Sequence, residues 1–226
     1  ERNYEKILAE LTLEEKASLC SGLTNWLTKP VERLGIPSVW MSDGPNGLRK
    51  EKQTGGTNIM QEAETATCFP TAVTTASSWD KELLYEIGAT IADEAKAMKV
   101  TTVLGPGINI KRSPLCGRNF EYYSEDPVLM GKIAAETTRG MAEHGAYVYL
   151  KHCFLNDQET FRCGGWTWAN EQTIREIYLK SFQIAIEDGG AQCVMGGLNS
   201  LGMKWTGVQG FMNTVLRGEF GMTGHV

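Results

Sequence analysis

Two adjacent residues, Lys151 and His152, follow directly on the apolar run "YVYL". An ammonium and an imidazole side by side at a strand terminus can donate several hydrogen bonds to hydroxyls or to an anion. Taken alone, the pair reads equally well as a solvated lysine beside a histidine that caps a helix. A second polar residue, Asp43, closely follows "SVWM" and precedes the turn residues Gly44, Pro45 and Asn46. A carboxylate held there can accept from two hydroxyls at once, although Asp-Gly is also common turn chemistry. Third is the irregular stretch "GPGINIKRSPLCGRNFEYYSEDP", which carries Arg112, Arg118 and Glu121. Loops of that length are usually functional or disordered, and its Pro, Cys and aromatic content argues against disorder. Its leading glycines lack the spacing of a dinucleotide-binding loop and run into no helix. The sequence contains no HExxH, Walker A or GxSxG pattern.

The elements that position these residues alternate. In "DKELLYEIGATIADEAKAM", Leu84, Ile87, Ile91, Ala95 and Met98 recur at helical spacing, with Asp80 placed to cap. A second helix starts at Asp126-Pro127 and leaves through Gly145. A third follows Asn170, with Ile174, Ile177, Tyr178, Phe182 and Ala185 on one face, and ends at Gly189-Gly190. Strand candidates are "SVWM", "TTVL", "YVYL", "QCVM" and an irregular one around "CFPTAV". "TTVL", "YVYL" and "QCVM" start at 101, 147 and 192, about 45 residues apart, the rhythm of a parallel βα succession. Asp43, Asn109 to Arg118, Lys151-His152 and Asn199 all follow the C-terminal ends of these strands. That is the catalytic face of a (β/α)8 barrel and the ligand face of an open doubly wound sheet. Five strands and the start of a sixth at His225-Val226 fall short of eight. The expected fold is therefore α/β, an incomplete (β/α)8 barrel forming one domain over 1–226.

Bulk properties narrow the partners. A chain of 226 residues can bury roughly 70% of its unfolded surface. Its formal net charge of -5, with basic residues scattered, argues against nucleic acid. No apolar run approaches about 18 residues, so no membrane span is expected, and the charged start shows no signal-peptide pattern. Cys20, Cys68, Cys116, Cys153, Cys163 and Cys193 are dispersed without a CxxC pair. They read as reduced, mostly buried thiols, which fits a cytoplasmic compartment.

The segments "SDGPNGLR", "CFPTAV", "LGPGINIKRSPLCGRNFEYYSEDP", "KH" followed by "LNDQET", "WANEQTIREIYLKSFQ" and "VLRGEFG" occur in order over nearly the whole chain. Together they resemble the N-terminal barrel domain of glycoside hydrolase family 3, closest to bacterial β-glucosidases. The resemblance implies a retaining glycosidase acting on β-D-glucosides, with no metal and no cofactor. It implies that Asp43, Arg118, Lys151 and His152 hold the hydroxyls of the first sugar, with Met195 near the same pocket. In the family, the counterpart of "GMTGHV" continues into the aspartate nucleophile, and the acid/base glutamate comes from a later domain. Retaining hydrolysis needs two carboxyl groups about 5–5.5 Å apart. The resemblance thus implies that no catalytic residue lies among these 226 residues, and Asp43, Glu121, Asp157 and Glu159 do not match either position.

The chain also departs from the family pattern. Lys-His-Phe-Ala is usual where Lys151-His152-Cys153-Phe154 stand, and Asn is usual in place of Phe161. Two small hydroxyl residues and an aromatic usually follow Met195, where this chain has Gly196, Gly197 and Leu198. The glycines are expected to open space and loosen the backbone, and Leu198 to weaken sugar stacking. These departures read either as natural variation or as a remodelled pocket. A remodelled pocket, with Cys153, Phe154, Phe161 and Leu198 set near Trp166 and Trp168, would make the chain a binding or scaffold module for a less polar ligand. Unpaired edge strands predict a partner in either case: a complementary fragment, a second copy or more polypeptide covering the open barrel edge.

Overall fold

The computed structural model describes residues 3–52 and 62–226. Two short helices open the chain, α1 (Tyr4–Glu10) and α2 (Leu13–Leu19), the second held by a reciprocal cap between Thr12 and Glu15. Strand β1 (Met41–Asp43) follows. "CFPTAV" is not a strand. Its second half forms the short helix α3 (Ala72–Ala76), entered just after Pro70, whose ring cannot donate to a strand ladder. Next come α4 (Lys81–Ala97), β2 (Thr102–Gly107), α5 (Pro127–Glu143) and β3 (Tyr147–Cys153).

The expected caps are in place. The Asp80 carboxylate accepts from Leu83 N, Asp126 from Val128 N and Leu129 N, and Asn170 from Thr173 N. The third long helix is less regular than its periodicity suggests. It comprises α6 (Glu171–Thr173), a π-turn over Ile174–Tyr178 and α7 (Lys180–Glu187). The chain ends through β5 (Cys193–Gly196), α8 (Gly210–Asn213) and a further π-turn over Thr214–Glu219.

The main sheet is parallel, in the order β1-β2-β3-β5. Among the described residues it has four strands, fewer than expected, because "CFPTAV" forms no strand and leads into α3. This is an open arc of a (β/α)8-type barrel. Both of its edges are partly covered. Leu27 bridges Trp40 and Arg49 bridges Asp43 beside β1, while Val194 N donates to the His225 carbonyl beside β5 at 2.9 Å. Three further strands, which the sequence pattern did not suggest, form a small second sheet: β4 (Trp166–Thr167), β6 (Ser200–Leu201) and β7 (Lys204–Trp205), in the order β4-β6-β7.

Helices α4 and α5 cover the sheet and pack closely on each other. A Cβ on Gly88 would stand 2.2 Å from the Thr137 carbonyl oxygen, and one on Gly140 2.2 Å from that of Tyr85. Glycine is what lets the two backbones touch. Ile91, Met130, Met141, Val148, Leu150 and Val194 form the center of the core between helices and sheet. Of the six cysteines, Cys116, Cys153 and Cys193 are buried, whereas Cys20, Cys68 and Cys163 are exposed; all are free thiols. The expectation of mostly buried thiols holds for half of them. No helix among the described residues is long and apolar enough to cross a membrane.

Candidate functional site

The parallel register brings the ends of three strands together. Asp43 pairs with Leu104 and Lys151 with Gly107, so β2 runs past the end of β1 and the chain turns at neighboring points. Lys151 Nζ lies 2.5 Å from Asp43 Oδ1 and 3.1 Å from Glu121 Oε1. Arg118 grips the same Glu121 carboxylate with two nitrogens, Nε at 2.7 Å and a terminal nitrogen at 2.6 Å. Glu121 sits in a single 3-10 turn, Asn119–Glu121, which folds the long loop back so that Tyr122 bridges Gly107 of β2. One buried carboxylate thus fixes two cations, and one of those cations reaches a carboxylate still open to solvent. Bidentate arginine–carboxylate geometry of this kind is strong and directional.

His152 lies beside this network. Its backbone N–H donates to Asn109 Oδ1 at 2.8 Å, and its carbonyl accepts from Asn109 Nδ2 at 2.8 Å. Its ring Nδ1 is 3.1 Å from the Tyr122 hydroxyl. Burial, followed by the positive charges of Arg118, Lys151 and Arg162, pushes the imidazole pKa down to about 2. His152 is therefore a neutral hydrogen-bonding group and not a cation. Burial drives the Tyr122 phenol well above its ordinary value, so it keeps its proton.

The geometry unites Asp43, Arg118, Lys151 and His152, the four residues singled out from the sequence. Met195 stands on β5, half-buried, beside the end of β3, where Cys153 pairs with Gly196. Glu121 emerges as the hub, with Asn109 and Tyr122 as supports. Arg162 was overlooked. It pairs with Glu159 at 2.6 Å and its charge reaches His152. The Glu-x-x-Arg spacing of an ion pair one helical turn apart was its available signal. Among the described residues no group of three or more His, Cys, Asp or Glu could hold a metal ion.

The residues that depart from the family pattern do not form one pocket. Cys153 and Phe154 are buried in the core, with the Phe154 ring tilted against that of Phe211 at 6.4 Å between centroids, while Phe161 and Leu198 are exposed. Nor are Gly196 and Gly197 a loosened segment. A Cβ on Gly197 would fall 2.3 Å from Asn199 Oδ1, and one on Gly196 would fall 3.2 Å from Gly207 Cα. The Trp205 ring closes over Gly207, and its indole N–H donates to the Gly197 carbonyl at 2.8 Å. Asn199 Nδ2 donates to the Phe154 carbonyl, and Gly197 N to that of Cys153, tying the small sheet to the end of β3. The glycines serve close packing under a tryptophan.

Comparison with known proteins places the chain in a family. The model of the glycosyl hydrolase family 3 N-terminal domain matches residues 12–226. Thermostable beta-glucosidase B of Acetivibrio thermocellus is 47% identical over 99% of this chain, which spans 30% of that enzyme. An exo-alpha-(1->6)-L-arabinopyranosidase of Bifidobacterium longum is 41% identical over 96% of the chain, or 29% of that enzyme. Beta-glucosidase 3B of Thermotoga neapolitana, solved in complex with glucose, superposes with a TM-score of 0.90 at 38% identity. That match covers 99% of this chain and 33% of the other.

Proposed function

The chain belongs to glycosyl hydrolase family 3, matching its N-terminal domain, and from that premise we propose that it is the sugar-gripping barrel portion of a retaining β-glucosidase. Within a longer protein it would act on terminal β-D-glucosidic bonds. The observation that carries the reading is Lys151, bridging Asp43 and Glu121 at the C-terminal ends of parallel strands. A sugar is a neutral polyol, best held by charged donors and acceptors fixed in advance. Asp43, partly open to solvent, accepts from sugar hydroxyls, while Lys151, Arg118 and neutral His152 donate. The names of similar enzymes favor glucose as that sugar.

The two carboxylates of the cluster are already engaged by cations, so their role is to orient and not to attack. Nucleophile and acid/base are proposed to come from outside these residues, consistent with a chain that spans about a third of its relatives' length. The open sheet edge beyond β5 would be covered by that further polypeptide, a complementary fragment or a second copy. Free thiols, three of them exposed, favor a reducing, cytoplasmic setting. Calorimetric titration of this chain with glucose, paired with a chromogenic β-glucoside assay, tests the reading. Saturable glucose binding without turnover is expected. Loss of binding in wild type sinks the gripping role, and robust turnover by the pure chain sinks the division of labor.

A further inference from the structure

We propose that Tyr122 is a positioning residue that selects the tautomer of His152, donating its hydroxyl hydrogen to Nδ1 so that the ring's one proton stands on Nε2. The inference concerns how the sugar-gripping site proposed above is prepared, and its sugar-facing half rests on that reading.

A neutral imidazole carries one N–H, and which nitrogen bears it is decided by the partner of the other. Two groups face Nδ1: the Tyr122 hydroxyl at 3.1 Å and Asn109 Oδ1 at 3.4 Å. The Asn109 amide has no freedom to turn over, because one end must accept the His152 backbone N–H while the other donates to the His152 carbonyl. Its Oδ1 is thus already used at 2.8 Å and is the longer, poorer acceptor for a ring proton. Tyr122, by contrast, keeps its own proton and needs an acceptor. Among the described residues the phenol oxygen has Nδ1 as its one hydrogen-bond partner, so the phenol's hydrogen goes there. The two rings meet edge to face, with centroids 6.3 Å apart and planes at 83°, and Tyr122 is buried.

Nε2 is the other half of the argument. It has no hydrogen-bond partner among the described residues, and it is not one of the fully buried atoms lacking a partner, so it reaches solvent. With Nδ1 satisfied from within, His152 presents a fixed N–H outward as a donor to a sugar hydroxyl. Without Tyr122 the proton could move to Nδ1, and Nε2 would offer a lone pair in place of a hydrogen.

Long-range nitrogen–proton NMR of the imidazole rings reads the tautomer directly, and the chain has only three histidines. Sugar-free wild type near neutral pH is expected to show the pattern of a protonated Nε2 at His152. Protonation at Nδ1 would overturn the proposal without reference to any variant. In Tyr122→Phe the pattern should shift toward a mixture and glucose affinity should fall about 3- to 10-fold, the range of one net hydrogen bond. An unchanged tautomer in a folded Tyr122→Phe protein would also overturn it. If wild type shows the Nε2 proton but glucose neither binds nor moves the Nε2 resonance, the sugar reading fails while the tautomer assignment stands.

Discussion

Glu121→Gln removes one charge and almost no volume, so its cost reports the hub of the site rather than packing. The Glu121 side chain is 5% exposed and Lys151 4%, while Arg118 is 22% and Asp43 37% exposed. Removing one partner of a buried pair typically costs about 3–5 kcal/mol, because the other charge is left without compensation. Here the loss is softened on both sides. Lys151 retains Asp43 at 2.5 Å, and the Arg118 guanidinium can reach water. The expected destabilization is therefore about 2–3 kcal/mol, below the full range for a buried pair. Glu136→Gln is the matched control, since its partners Lys81 and Arg139 are 59% and 46% exposed. Pairs with such exposed cations are worth less than about 1 kcal/mol. Urea unfolding followed by tryptophan fluorescence measures both, as midpoint shifts at constant m. A Glu121→Gln protein within about 0.5 kcal/mol of wild type, or no worse than Glu136→Gln, would refute the idea that this carboxylate holds the cations in place.

Two further expectations follow from burial and backbone contact. His152 titrates in the unfolded chain near its ordinary value, but only near about 2 when folded, so below roughly pH 6.5 the unfolded state binds the extra proton. The stability tied to its neutral form is complete above that pH and is lost as pH falls, by up to about 1.4 kcal/mol per unit; urea midpoints between pH 7 and 5 should show this slope in wild type and a flatter one in His152→Gln. Gly140→Ala would drive a methyl to 2.2 Å from the Tyr85 carbonyl and 2.9 Å from Ala89 N, and should cost about 2 kcal/mol or more, whereas Gly218→Ala, with nothing within 4 Å, should be neutral or stabilizing by thermal melting.

The sequence was most legible where a residue's local chemistry decides its conformation. Asp80, Asp126 and Asn170 are caps whatever surrounds them, and the 45-residue rhythm of apolar runs follows from parallel pairing through helical crossovers. Three of the polar residues were legible for the same reason, since Asp43, Lys151 and His152 lie on neighboring parallel strands, while Arg118 is brought in by the 3-10 turn that folds the long loop back. What remained hidden depends on tertiary contact. Strands of two residues such as Trp166–Thr167 carry no periodicity, and Thr71 to Ala76 have β-branched residues yet turn into helix after Pro70. Gly196 and Gly197 looked permissive in isolation. Only the Trp205 ring above Gly207 shows that they are there to let backbones meet. Cys153 and Phe154 follow His152 directly, but the bulge in register between β3 and β5 carries them into the core and away from the site.

A crystal structure of this chain grown with glucose tests the central claim most directly. The account predicts one pyranose ring at the C-terminal ends of β1 to β3, with hydroxyls within hydrogen-bonding distance of the Asp43 carboxylate, Lys151 Nζ and His152 Nε2, and Arg118 still locked on Glu121. A ring bound elsewhere, on the exposed tryptophans of the small sheet for example, with the Asp43–Lys151–Glu121 cluster untouched, would contradict it.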